Sequence, residues 1–216
     1  MINLDEKLLV GKGGRREVYL DPRDTGGKKC IKVTPIQNKL VAKAVNKHWY
    51  KKFRSLEYFD ENNTEIKAYR HIKNEKVYEN LPRFYGIVET NLGRGIVVDY
   101  IDKITLLKDF IENYGVTDNL LKALKKMFQN FISNGVEIRD YTLLNYAVKI
   151  VDGELRVYMI DGLGNANLIP LNRWIPYFGR KQTIRRIKRM LSNFIKIFPK
   201  YEKEFRSLLN DFSIDL

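Results

Sequence analysis

The stretch 134–161, NGVEIRDYTLLNYAVKIVDGELRVYMID, constrains the fold of this chain more than any other. AVKIV and ELRVYMI are apolar, β-branched runs, and the Asp152-Gly153 pair between them accepts the positive φ angles of a tight hairpin turn. A hairpin there folds the chain back, so that Asp161 returns to the neighbourhood of Asp140 and Asn145. Two carboxylates and a carboxamide converging at a strand end are hard oxygen donors, able to hold Mg²⁺ while leaving room for phosphates. Taken alone, the same residues also read as a surface acid and a turn amide.

Composition narrows the alternatives. At 216 residues and 44% hydrophobic, the chain can bury a core as one domain or as two small lobes. No apolar run reaches membrane-spanning length, and MINLDEKLLV lacks the basic start and apolar centre of a signal peptide, so a cytoplasmic location is expected. Cys30 is the single cysteine, which excludes an intrachain disulfide and a cysteine-based metal cluster; it is expected to be a buried strand residue. The net charge of +13 favours anionic partners: nucleic acid, nucleotide, phosphosugar or an acidic membrane surface.

From the N-terminus, LLVGKGGRREVYLDP reads as a strand running into glycines and a second strand, EVYL, that ends in a turn at Asp21-Pro22. Gly11, Gly13 and Gly14 let the backbone approach a phosphate that a Cβ would obstruct. The layout differs from the Walker loop and the dinucleotide fingerprint, which both run from a strand into a helix. A plain hairpin is the other reading. KKCIKV is a short strand with Ile31 and Val33 on one face and Cys30 and Lys32 on the other. Residues 38–60 are strongly basic and helical in tendency, with Lys43, Lys47, His48, Lys51, Lys52 and Arg54 among Val41, Ala44, Trp49, Phe53 and Leu56. A second helix is expected from a cap at Asn63-Thr64 through EIKAYRHI. Glu65 or Glu57 is the candidate partner of Lys32, and Glu65 is chosen because its helix leads directly into the next strand. His48 and His71 have no second ligand at metal spacing.

LPRFYGIVET and GIVVDYID are strands joined by a hairpin at NLGR. Beyond them, LLKDFIENYG and NLLKALKKMFQNFISNG carry apolar residues at helical spacing. The change of pattern divides the chain into an N-terminal lobe of residues 1–98, a hinge at 99–102 and a helical lobe of residues 103–216. Backbone groups of Asp99 and Tyr100, at the hinge, are the expected contacts for an adenine edge.

Glycine loop, strand lysine, helix glutamate, hairpin, hinge, helices, R-D-x-x-x-x-N, hairpin and Asp-Gly stand in the order found in protein kinases. The last motifs are Arg139-Asp140 with Asn145, and Asp161-Gly162; the loop G-x-G-x-x-G-x-V is matched at Gly11, Gly13 and Val18, with Arg16 in the third glycine position. The chain resembles the protein-kinase superfamily, and in particular the bacterial YrbL family of PhoP-regulatory-network proteins, which is similar to lipopolysaccharide-core sugar kinases. GKGGRREVYLDP, the Cys-Ile-Lys-Val strand, FYGIVETNLGRGIVVDYI, RDYTLLN, IDGLG and RRIKRML carry the resemblance, which covers nearly the whole chain. It implies an α+β, bilobal protein-kinase-like fold, with an N-terminal antiparallel sheet lobe and a mainly helical C-terminal lobe.

The resemblance also implies an ATP- and Mg²⁺-dependent phosphotransferase. Asp140 would orient or deprotonate an acceptor hydroxyl, and Asn145 and Asp161 would hold Mg²⁺. Lys32, fixed by Glu65, would neutralise the α/β-phosphates, while Gly11, Gly13, Gly14 and Val18 cover the nucleotide. Ile138 stands where kinases have His, Leu163 follows Gly162 in place of the Phe-Gly order, and no Ala-Pro-Glu appears after Asp161. A peptide-docking segment is therefore not expected, and the acceptor is read as a small molecule or a phosphorylated, lipopolysaccharide-type glycan.

The tail WIPYFGRKQTIRRIKRMLSNFIKIF has Arg180, Lys181, Arg185, Arg186, Lys188 and Arg189 beside Trp174, Phe178, Ile184, Ile187, Leu191, Phe194 and Ile195, which on a helix makes a basic face opposite an apolar one. This reads as a core-packed helix with a solvated charged side, or as a contact for a phosphorylated glycan or an anionic membrane surface at the cytoplasmic face. Two further functional readings stand beside the enzyme: a kinase-like regulatory protein that binds nucleotide or a partner without turnover, and a basic nucleic-acid-binding protein. The second has no zinc, helix-turn-helix or aromatic RNA-binding motif behind it, so no specific nucleic acid is expected.

Overall fold

The computed structural model describes residues 1–46, 53, 55–164 and 176–212. They form two compact units, one of Met1–Tyr69 with Pro82–Asp102 and the other of Arg70–Leu81 with Lys103–Leu216. The architecture is α+β, with an antiparallel sheet in the N-terminal part and mostly helices in the C-terminal part.

The first unit is built on a five-stranded antiparallel sheet in the order β1-β2-β3-β5-β4, from β1 (Leu9–Lys12), β2 (Glu17–Leu20), β3 (Lys29–Val33), β4 (Phe84–Thr90) and β5 (Gly93–Asp99). The alternation read in KKCIKV is realised on β3. Ile31 and Val33 are buried in a core with Leu4, Tyr19 and Val97, while Lys32 meets Glu65 of helix α2 (Asn62–Tyr69). Helix α1 (Ile36–Ala44) covers the start of the stretch read as helical over residues 38–60, and Leu56–Phe59 near its end is a 3-10 turn. Its inward contacts are Lys39 and Ala42, and Leu40, Val41 and Val45 are exposed. Lys47, His48, Trp49, Lys51, Lys52 and Arg54 lie outside the described residues. Lys39 fastens α1 through a buried ion pair of 2.8 Å with Asp60. The Asp60 carboxylate also accepts from the Asn62 amide at 3.0 Å. Helix α2 therefore starts at Asn62 rather than after a cap at Asn63-Thr64, and it ends at Tyr69, leaving His71 in a turn.

The second unit holds a three-stranded sheet, β6 (Thr105–Leu106), β7 (Tyr146–Val151) and β8 (Glu154–Met159), in that order. Asp152 at φ 52° and Gly153 at φ 80° make the β7–β8 turn, the left-handed pair that a two-residue hairpin needs. Around the sheet lie helices α3 (Leu107–Tyr114), α4 (Asp118–Ser133), α5 (Pro176–Ile197) and α6 (Glu202–Asp211). Thr117 caps α4 by accepting from the Leu120 amide at 3.2 Å. Phe128, Phe131, Tyr146, Phe194 and Phe205 are fully buried, and Phe194 meets Phe205 edge-on with centroids 5.5 Å apart. Trp174 lies outside the described residues.

Residues 70–81, assigned by sequence to the N-terminal lobe, belong to this second unit. The Asn80 side chain donates to the Val157 carbonyl at 2.8 Å, and the Met159 amide donates to the Asn80 carbonyl at 2.9 Å. Asn130 of α4 donates to the Lys76 carbonyl at 2.8 Å and to the Asn80 amide oxygen at 2.9 Å. No helix among the described residues is long and apolar enough to cross a membrane.

Candidate functional site

In the first unit, the β1–β2 hairpin carries the glycine loop. The Gly13 amide donates to the Arg16 carbonyl at 2.8 Å and closes the turn. Gly11 sits opposite Val18 in the register, and a Cβ on Gly14 would meet no atom within 4 Å, so the loop tip borders open space. Arg16 stands in the third glycine position but turns inward and is only 5% exposed. Its guanidinium donates to the Glu65 carboxylate and, at 3.3 Å, to the Asn62 side-chain oxygen.

Lys32 Nζ donates to the other Glu65 oxygen at 3.0 Å. Glu65 thus takes one cation on each oxygen. Asn62 completes the cluster by donating to the Lys32 carbonyl at 3.0 Å. Burial alone would raise the Glu65 carboxyl; the Arg16 and Lys32 charges and their hydrogen bonds outweigh it and hold the group at about 2. Lys32 is drawn below its ordinary value, by burial first and by the Arg16 charge as well, against the pull of Glu65. Of the two acids considered for Lys32, Glu65 is in place; the side chain of Glu57 lies outside what is described.

Asp99, the last residue of β5, and Tyr100 after it have their amides engaged inside the first unit. The Asp99 amide donates to the Arg83 carbonyl at 3.0 Å and the Tyr100 amide to the Lys28 carbonyl at 2.7 Å. The Asp99 carboxylate accepts from the Arg83 amide at 2.9 Å and the Tyr85 hydroxyl at 2.7 Å. Cys30 is a buried thiol pushed up to about 12 by its desolvation, so it is no nucleophile.

In the second unit, Asp140, Asn145 and Asp161 are brought together by backbone bonds. The Arg139 and Asp140 amides both donate to the Gly162 carbonyl, at 2.8 and 3.2 Å. The Ile160 and Asp161 amides both donate to the Asn145 carbonyl, at 2.8 and 3.4 Å. The Asn145 side-chain nitrogen reaches the Asp140 carbonyl at 3.4 Å, leaving its amide oxygen as a donor for a cation. Gly162 makes this knot possible: it lies at φ +86°, and a Cβ there would collide with the Asp140 carbonyl oxygen. Asp140 itself is exposed, with one carboxylate oxygen accepting from the Thr142 amide at 3.1 Å.

Ile138 and Leu163, two positions that depart from the kinase pattern, pair with each other as an antiparallel bridge and are both buried. A hydrocarbon pair thus braces the loop at Arg139-Asp140 against the Asp161-Gly162 segment. Among the described residues no three His, Cys, Asp or Glu side chains gather into a metal site. The set here is two carboxylates and one carboxamide, which suits an oxygen-seeking cation whose remaining ligands are water and phosphate. Below it, burial first and the Asp140 charge second raise the Tyr146 phenol well above its ordinary range.

Sequence reasoning missed the structural parts played by Arg16 and Asn62. Asn62 had a detectable signal, because it lies three residues before Glu65 and so shares its helical face. Arg16 showed only as a departure from a motif.

A sheet unit with a glycine hairpin and a Lys–Glu pair, together with a helical unit holding an Asp-Asn-Asp knot, defines the class as a kinase-like fold. The solved structure of Rad53 1-466 in complex with AMP-PNP, a protein kinase, matches at a TM-score of 0.53 and 15% identity, over 87% of this chain and 45% of that one. The chain belongs to the family described as PhoP regulatory network protein YrbL, whose profile matches residues 2–195. The YrbL protein of Escherichia coli (strain K12) is 26% identical over 204 residues, covering 89% of this chain and 87% of that relative. YrbL of Shigella flexneri is similar to the same extent.

Proposed function

We propose that the protein is an ATP- and Mg²⁺-dependent phosphotransferase acting on a hydroxyl of a non-peptide acceptor, a small molecule or a lipopolysaccharide-type glycan. The observation that carries this reading is the knot at Gly162, which spends backbone groups to bring Asp140, Asn145 and Asp161 together while Asp140 remains exposed. In the reaction the acceptor oxygen forms a bond to the γ-phosphorus as the bond to the departing ADP breaks, and the hydroxyl proton passes to the Asp140 carboxylate. Asn145 and Asp161 would hold Mg²⁺, which supplies charge neutralisation to the phosphates when bound. Lys32, fixed by Glu65, adds a positioned positive charge, and Gly14, with no atom within 4 Å of where its Cβ would lie, leaves room for a phosphate at the loop tip. Catalysis is then largely positioning and electrostatic stabilisation.

A thermal-shift titration with ATP, with and without Mg²⁺, tests the site. Wild type is expected to gain stability by mass action, about 2.7 kcal/mol at a hundredfold excess over Kd, and Asp161→Asn to lose the Mg²⁺-dependent part. No response in wild type would sink the reading. The inward turn of Arg16 favours a second reading, a nucleotide-binding regulatory protein without turnover, since a cation is committed to structure where kinases keep a glycine. ATP-dependent stabilisation with no ADP release toward any acceptor would select it.

A further inference from the structure

A second cluster of cations lies on one stripe of α5. Arg185, Lys188, Arg189 and Lys196 fall at helical spacing and line a cavity of about 360 Å³ that Tyr141 of the catalytic loop helps to form. The opposite stripe, with Ile184, Ile187, Leu191 and Phe194, is buried. No carboxylate lines the cavity, and none of the four cations makes an ion pair among the described residues. Asn193 adds a side-chain amide, while the Ser192 hydroxyl is spent on the Lys188 carbonyl at 2.9 Å.

Resting on the phosphotransferase reading above, we infer that this cavity is an acceptor subsite that holds a phosphate group already present on the acceptor. Like charges four residues apart on a helix, as at Arg185 and Arg189, destabilise it. An uncompensated stripe is therefore a cost that a bound anion would offset. The strain shows next door at Arg186. Its guanidinium is held below its ordinary value, by burial first and then by Arg189 and Arg185, and its Nε is buried without a hydrogen-bond partner.

Arginine forks match phosphate oxygens in pairs, and the volume is that of a small-molecule pocket. Tyr141 is one peptide from Asp140, about 3.8 Å between Cα atoms. A phosphate seated here would bring neighbouring hydroxyls of the same molecule toward the carboxylate that takes the proton. A solvated helix face would need neither the concavity nor the exclusion of carboxylates. Nucleic acid would call for a longer track and stacking aromatics, and Tyr141 is the one aromatic in the lining.

Isothermal titration with inorganic pyrophosphate in Mg²⁺-free buffer tests the subsite on wild type, Arg185→Gln/Arg189→Gln and Arg185→Lys/Arg189→Lys. Wild type is expected to bind, the Gln pair to lose about tenfold or more in affinity, and the Lys pair to recover part of it. Equal affinity in wild type and the Gln pair overturns the inference, and the melting curve of each variant checks that it is folded. The ATP–Mg²⁺ thermal shift, run on the same proteins, is expected to be unchanged by the Gln pair. If that shift is present and pyrophosphate ignores both arginines, the subsite falls alone. If pyrophosphate binding needs the arginines but wild type never responds to ATP, the phosphotransferase reading falls and the acceptor role of this site is overturned with it. Flotation with phosphatidylglycerol–phosphatidylcholine vesicles separates the sources of phosphate. Arginine-dependent flotation that pyrophosphate competes away identifies a lipid-borne group, and pyrophosphate binding without flotation identifies a free metabolite.

Discussion

Arg16 and Lys32 in the first unit and the four cations on α5 in the second are clusters of the same charge treated in opposite ways. Arg16 and Lys32 have side chains 5% and 6% exposed, and both are bonded to Glu65. The α5 cations line an open cavity with no carboxylate in it. Burial leaves a cation little choice, since an unpaired charge in the interior costs several kcal/mol. An exposed cation loses little by waiting for a partner, because water screens it. The lesson is that a cation with its counter-charge built in is being positioned, and one without it is available to a ligand.

Removing the built-in counter-charge is the largest way to break that contrast. Glu65→Gln leaves Arg16 and Lys32 buried against a neutral amide, and urea unfolding should report a loss of about 3–5 kcal/mol. A loss below about 1 kcal/mol would show that the pair is not closed from water. Next comes acid. Glu65 ionises at about 2 in the fold against an ordinary 4.5, so its contribution is complete above pH 4.5 and disappears as the pH falls toward 2. Arg16→Gly removes one of the two cations that hold Glu65 down. The acid transition should then move to higher pH and stability at neutral pH fall by about 1.5–3 kcal/mol. An acid midpoint unchanged by Arg16→Gly would mean that Lys32 alone sets Glu65. The smallest effect belongs to the other cluster: Arg185→Gln/Arg189→Gln should change stability by no more than about 0.5 kcal/mol per site, as thermal melting would show.

Much of the frame was legible because its signals are local. Strand periodicity and the Asp-Gly turn located β7 and β8, and the Ile31/Val33 alternation put Lys32 on the face of β3 that meets Glu65. Of the helical tendency read over 38–60, α1 over Ile36–Ala44 and the 3-10 turn at Leu56–Phe59 are seen, and residues 47–52 and 54 between them lie outside those described. Arg16 could not be read at all: one cation among 39 Lys and Arg carries no local mark, and its role depends on Asn62 and Glu65, 46 and 49 residues away. The tie between Ile138 and Leu163 was hidden for the same reason, since each looked like a separate loss from a motif.

The placement of residues 70–81 in the second unit has a consequence for how the chain is made. Leaving the first unit after Tyr69 and returning at Pro82, the chain passes between the units three times. On the ribosome this segment emerges well before Asn130, Val157 and Met159, the residues that bind it. Asn80 therefore waits in solvent until β8 has been synthesised. A truncation after Asp102 would leave Val77 and Leu81, each 1% exposed in the full chain, without the partners that cover them. The two units are distinct in the folded protein but cannot be separated by a single cut.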